Sequence, residues 1–185
     1  MLTVPEAVAE ITRAIAPLPP ARLPLLDALG MVLAADATAR YTLPQWDNSA
    51  MDGYAVRAAD IEGATAEQPV TLPVSGTIAA GGFAARALVA GEAMRIMTGA
   101  PIPDGADTVV RVEDTDAGLE QVQIRNTRDS RKNIRPCGED FREGTAVIRA
   151  GTPVAAAQLG VLASLGYATV EVHRRPVVAI AGSGD

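Results

Sequence analysis

The chain has 185 residues, 48% of them hydrophobic and 21% charged, with a net charge of −6, one histidine and one cysteine, Cys137. That balance supports one sizeable core or two small ones, opposes binding to a nucleic-acid backbone or an anionic membrane, and excludes an internal disulfide or a thiolate zinc cage built by this chain alone. With no basic segment leading into an apolar run at its start, and no stretch near the roughly 20 apolar residues that span a bilayer, it reads as a globular cytoplasmic protein.

Thr3-Val4-Pro5-Glu6 has the spacing of a capping box, which predicts a helix start. Val8, Ile11 and Ile15 continue it as an apolar face, and Pro17-Leu18-Pro19-Pro20 ends it and forms a first linker. From Leu23 to Ala35 the apolar positions are dense, and the pattern predicts a short buried helix ending near Asp36. Beyond Tyr54 come short runs at 70–72, 93–97, 108–112 and 121–125, separated by Gly, Pro and Asp, as expected of a small antiparallel β domain. Gly151-Thr152-Pro153 leads into an Ala- and Leu-rich helix over 154–165 that Gly166 closes, and Thr169-Val170-Glu171-Val172 reads as a strand. Val177-Val178-Ala179-Ile180-Ala181 has the continuous apolar character of a strand covered on both faces. Gly182-Ser183-Gly184-Asp185 cannot supply the neighbours such a strand needs, so the expectation is a chain cut at the threshold of another domain.

Three segments carry polar groups suited to chemistry. Around Leu43 to Ala55, the side chains of Asp47, Asn48, Ser49 and Asp52 could hold a hard cation, although Asp-Gly with Pro, Asn and Ser equally describes a surface turn. Around Met97 to Asp107, the Thr98 hydroxyl and the Gly99 N–H could donate to an anion, although two prolines also suit a stiff connection between strands. Arg128, Arg131, Lys132 and Arg135 then precede Gly138-Glu139-Asp140, which fits a phosphorylated, metal-bound ligand as well as a solvated charged loop. His173 has no second histidine to share a metal, and Cys137 has no evident base, so neither is a catalytic candidate. No phosphate-binding Gly-x-x-x-x-Gly-Lys-Ser/Thr loop is present, and ATP hydrolysis is not supported.

Taken together, Leu43-Pro44 with Asp47-Asn48-Ser49-Ala50-Met51-Asp52-Gly53-Tyr54-Ala55-Val56, then Ile96-Met97-Thr98-Gly99-Ala100-Pro101-Ile102-Pro103 with Gly105-Ala106-Asp107, then Asn133-Ile134-Arg135 with Gly138-Glu139-Asp140, resemble the molybdopterin molybdenumtransferase family, MoeA and the gephyrin E domain. The resemblance extends over essentially the whole chain. It implies a multi-domain α+β fold: an N-terminal helix (1–18) that packs on a further α/β domain, a mixed dimerisation domain (19–45 and 138–172), an inserted all-β lobe (46–137), and a linker with the first strand of a truncated molybdopterin-binding domain (173–185).

The resemblance also implies a transferase of molybdenum cofactor biosynthesis. Such an enzyme takes adenylylated molybdopterin and molybdate, with Mg2+, inserts the metal and releases AMP. It works as an elongated homodimer, with the pathway's adenylyltransferase as a further partner. Carried over by position, Asp52 and Asp140 match cleft carboxylates that would hold magnesium, Thr98 matches a hydroxyl that would donate to substrate, and Arg135 matches a neighbouring cation, with Ser49 and Gly99 as further substrate contacts. Trp46 stands where the family commonly has Phe, Pro136-Cys137 where many members are more polar or basic, and Ser183 where Thr is usual. The alternative is a dimeric scaffold or binding module of the same fold without autonomous catalysis.

Overall fold

In the computed structural model, which describes residues 2–182, Thr3 and Glu6 form the expected capping box. The Glu6 N–H donates to Thr3 Oγ1, and the Thr3 N–H donates to a Glu6 carboxylate oxygen at 2.8 Å. The helix that follows, α1 (Val4–Ala14), carries its proline in the first turn, where an N–H has no intrahelical partner anyway. It buries no residue, and its apolar stripe of Val4, Val8 and Ile11, with Ile15 just beyond, is 54–78% exposed.

The remaining elements are β1 (Pro20–Pro24), a 3-10 turn (Leu25–Ala28), β2 (Val32–Leu33), β3 (Ala37–Thr38), β4 (Asn48–Ser49), β5 (Gly53–Val56), a 3-10 turn (Ala58–Ile61), β6 (Val70–Ile78), β7 (Ala93–Ile96), β8 (Thr108–Arg111), a 3-10 turn (Val112–Asp114), β9 (Gln121–Ile124), β10 (Ile134–Arg135), β11 (Ala146–Ile148), α2 (Ala156–Ser164) and β12 (Thr169–His173). They divide into two compact units, Met1–Tyr41 with Glu143–Asp185, and Thr42–Arg142.

In the first unit β12 lies between β1 and β2, antiparallel to both. Its period-two pattern turns Val170 and Val172 inward and Thr169 and Glu171 outward. Val170 and Val172 meet Leu162 of α2, Ala28, Leu33, Ile148 and Val154 in one core. The helix expected over 23–35 does not form as such. Residues 20–24 join β12 as a strand, one 3-10 turn follows, and Gly30, with φ +74°, turns the chain so that Val32 and Leu33 pair with the far edge of β12. Pairing with a distant strand outweighs the local apolar periodicity. The strand expected over 177–181 is also absent: Val177 and Ile180 are 99% and 94% exposed, and no described segment offers them a hydrogen-bonding ladder.

The second unit is built on a five-stranded sheet in the order β8-β5-β7-β6-β9. All four residues of β5 are buried. Tyr54 and Val56 join Leu72, Val110, Val122 and Ile124, whereas Ala55 joins Ile78, Met94, Ile96 and Val109, so the two clusters draw on alternate residues of the same strand. The expected short runs become strands, but the sheet is not purely antiparallel, because β6 and β7 run parallel. Parallel neighbours need a long crossover rather than a tight hairpin, and residues 79–92 supply it.

An ion network ties down the loop after β9. Arg128 makes two bonds to the Asp114 carboxylate, and Arg111 reaches Asp114 at 3.2 Å and Asp129 at 3.1 Å. Burial pushes the Asp114 carboxyl up, but bonds from Arg128 and Asn126 and the charges of Arg128 and Arg111 outweigh it and hold the group below its usual value. A carboxyl depressed on folding contributes stability that is fully present above the unfolded value of about 3.9 and is lost as pH falls through the lower folded value. Asp114→Asn should therefore cost about 1–2 kcal/mol near neutral pH, the low end for bonds to charged groups because both guanidiniums are partly exposed. Urea unfolding at pH 7 and pH 3 checks it: the variant's deficit should shrink at the lower pH.

Candidate functional site

The three segments that carry polar chemistry in the sequence lie side by side in the second unit. Strand β4 pairs with β10 on one side, Ser49 opposite Ile134 and Asn48 opposite Arg135. On its other side the Ser49 N–H donates to Ala100 O, the Gly99 N–H to Ser49 O, and the Ile102 N–H to Asp47 O, at 2.8–2.9 Å. These bonds use no donor from residues 101 or 103, so Pro101 and Pro103 are accommodated without loss of a ladder bond.

At one end of this ribbon stands Asp52. One of its carboxylate oxygens accepts from both the N–H and the hydroxyl of Thr98, each at 2.7 Å. The backbone bond, then the hydroxyl bond, with a further contribution from the charge of Arg95, hold the Asp52 carboxyl below its ordinary range, so the group is a fixed anion at neutral pH. No described residue hydrogen-bonds its second oxygen, which remains open to an incoming ligand. The Thr98 hydroxyl proton is committed to Asp52, so the donor role expected of Thr98 becomes an acceptor role through the remaining lone pairs of its oxygen.

Two expected substrate contacts are structural in this arrangement. The Gly99 N–H is occupied by Ser49 O at 2.8 Å and is not free for an anion. Ser49 is fully buried; its hydroxyl donates to Met51 O at 2.5 Å and accepts from the Met51 N–H at 3.2 Å, which fixes the turn that presents Asp52. Asn48, 8% exposed, has a side-chain oxygen with no hydrogen-bond partner among the described residues.

Arg135 is clamped rather than free. Its Nε donates to Glu139 at 2.7 Å and its Nη2 to the two oxygens of Asp140 at 2.9 and 3.1 Å. The cations of the Arg128 to Arg135 segment do not form one anion cradle, because Arg128 is bound to Asp114 and Arg135 to the acidic pair that follows it. Asp52 and Asp140 belong to separate hydrogen-bond groups, the first with Thr98 and the second with Arg135. Among the described residues no cluster of three or more His, Cys, Asp or Glu side chains is placed to hold a metal ion. Elsewhere, His173 Nδ1 lies 2.8 Å from Leu18 O, and Cys137 is bonded through its N–H to Asp47 and through Sγ to Gln45 O. The sequence places Asn48 among the possible cation ligands and Glu139 in the acidic pair that follows the basic segment; the Arg-x-x-x-Glu spacing is the signal that Glu139 pairs with Arg135.

Among the described residues no helix is long and apolar enough to cross a membrane. A family model described as the MoeA N-terminal region (domain I and II) matches residues 2–166. The chain is 47% identical over 180 residues to molybdopterin molybdenumtransferase 2 of Mycobacterium tuberculosis, which covers 97% of this chain and 44% of the relative. It is 41% identical over 164 residues to the molybdopterin molybdenumtransferase of Bacillus subtilis, covering 86% of this chain and 38% of the relative. Among solved structures it is similar to the molybdopterin biosynthesis moeA protein of Pyrococcus horikoshii OT3, with a TM-score of 0.78, 32% identity, and coverage of 83% of this chain and 41% of that one. The chain thus spans less than half the length of these relatives.

Proposed function

The chain belongs to the MoeA family through its N-terminal region, and from that premise we propose that the whole protein inserts molybdenum from molybdate into adenylylated molybdopterin, with release of AMP. The observation that carries the reading for this part of the protein is the Asp52 carboxylate, kept ionised by two bonds from Thr98 while its second oxygen stays open. A fixed anion beside an acceptor hydroxyl suits a hard, oxygen-loving cation.

Magnesium fits that donor set: Asp52 would hold it through its free oxygen, with Thr98 Oγ adjacent. Asp140, whose oxygens accept from Arg135 Nη2, keeps lone pairs through which it would add a second carboxylate, while Arg135, held by Glu139 and Asp140, would supply a positioned cation for the substrate's phosphate. When bound, the metal would screen phosphate charge and polarise a phosphate oxygen. Thr98 positions the Asp52 carboxylate, and the buried turn at Ser49 holds both at fixed spacing. The same premise supports a homodimer, the pterin as the bound small molecule, and contact with the adenylyltransferase that supplies it. Reconstitution of the full-length protein with adenylylated molybdopterin, molybdate and magnesium tests the reading. AMP release accompanied by metal-loaded pterin is the expected result; a folded full-length protein that yields neither overturns it.

A further inference from the structure

One cavity in the second unit shares no lining residue with the Asp52–Thr98 ribbon. It measures about 400 Å³, with Ala58, Ala59 and Glu62 among its lining on one side and Thr127, Ser130 and Arg131 on the other. The segment 127–131 is positioned with care. Arg111 holds Asp129 and Arg128 is bound to Asp114, the Arg131 N–H donates to Thr108 Oγ1 at 2.9 Å, and the Lys132 N–H closes a turn onto Asp129 O at 3.0 Å. Arg131 adopts φ +56°, a left-handed conformation uncommon for a long side chain, and Asn133 adopts φ +62°, which asparagine tolerates.

While its neighbours Arg111, Arg128 and Arg135 are all paired with carboxylates, the Arg131 guanidinium makes no ion pair among the described residues. The hydroxyls of Thr127 and Ser130 likewise make no hydrogen bond among the described residues. Glu62 is exposed and also without an ion-pair partner. One unneutralised cation and two open hydroxyls form an oxyanion-binding edge. A carboxylate opposite would repel a bare anion but accept hydrogen bonds from a neutral, hydroxyl-bearing body. The volume lies within the roughly 300–1,000 Å³ of small-molecule sites and is several times what a bare oxyanion fills.

We propose that this cavity is a binding site for a sugar phosphate or similar phosphorylated polyol, the phosphate on Arg131, Ser130 and Thr127 and the hydroxyls on Glu62. The site is separate from the Asp52–Thr98 group and does not depend on the reading of that group.

Titration of the 185-residue chain by calorimetry and amide NMR, with ribose 5-phosphate, inorganic phosphate and ribose as probes, tests it. Ribose 5-phosphate should bind at least about tenfold more tightly than inorganic phosphate, and should shift amides in 58–63 and 127–131. Arg131→Gln should weaken it by about tenfold or more, the loss expected when a charge-assisted bond is removed. Glu62→Gln should weaken ribose 5-phosphate yet strengthen inorganic phosphate, a crossed response that a general loss of structure does not give. Both side chains are exposed, so thermal midpoints matching the parent are expected. Absence of saturable binding in the millimolar range, affinity indifferent to Arg131→Gln, or shifts confined to the Asp52 and Thr98 segments would each overturn the proposal.

Discussion

Asp52→Asn in the full-length protein should lower metal insertion by about 10²-fold, the loss typical when one preorganised electrostatic group is removed from a site. Asparagine keeps the volume of the side chain and an oxygen that can still accept from the Thr98 N–H, so the turn should survive while the charge is lost. The thermal midpoint should therefore stay within a few degrees of the parent. Normal insertion by the variant would reduce Asp52 to a structural cap on Thr98.

The pH profile supplies an independent check. Thr98 depresses the Asp52 carboxyl through its backbone and hydroxyl bonds, so Asp52 is ionised throughout the neutral range and loses its charge only as pH falls through a value below about 3.9. No acid limb due to Asp52 should appear between pH 5 and 8. Thr98→Val removes the hydroxyl bond and should move that limb upward, whereas Thr98→Ser should leave it in place.

Gly53→Ala should destabilise the second unit by on the order of 3 kcal/mol or more, at the upper end of overpacking effects. A Cβ added at Gly53 would lie 2.0 Å from Val110 O and 2.9 Å from Val110 C, both backbone atoms of the neighbouring strand. The strand has nowhere to retreat. Gly53 is paired with Arg111 of β8 on one side and Ile96 of β7 on the other, so relief on one edge breaks the ladder on the other. For a domain of this size the midpoint should fall by more than about 10 °C. Gly76→Ala is the matched control: no atom lies within 4 Å of its added Cβ, and its midpoint should barely move. The glycine next to Asp52 is thus required by the close passage of β8 and not by a turn, although Asp-Gly in a sequence is normally read as turn chemistry.

That distinction marks where sequence reading succeeds and where it stops. The Thr3–Glu6 box, the strands at 70–78, 93–96, 108–111 and 121–124, and the helix at 156–164 follow from local spacing, and local spacing is visible in a sequence. The family was legible from the order of three motifs. The helix expected over 23–35 does not form because the apolar density there serves strands at 20–24 and 32–33 that pair with β12, some 140 residues away, which no window on the chain contains. The direction of β6 against β7 was equally hidden, since a period of two is the same for parallel and antiparallel neighbours.

At the candidate site, the sequence names segments that the fold brings side by side but not the commitments of each donor. The bond between Thr98 and Asp52 joins residues 46 apart, the Gly99 N–H is committed to the ribbon, and Arg128 is held by Asp114. Charge counting gave four cations in one loop, whereas pairing leaves Arg131 and Lys132 without a carboxylate partner among the described residues.

Helix α1 carries a thermodynamic consequence of its own. Its 11 residues fall short of the roughly 12–15 at which an isolated helix becomes marginally stable in water, and it gains nothing from burial. What tips its balance is the reciprocal bonding of Thr3 and Glu6 and the fixed φ of Pro5, both of which act on the nucleation step. Any apolar surface that comes to rest on Val4, Val8, Ile11 and Ile15 therefore meets a segment already wound, and much of the entropy of fixing its backbone has been given up beforehand.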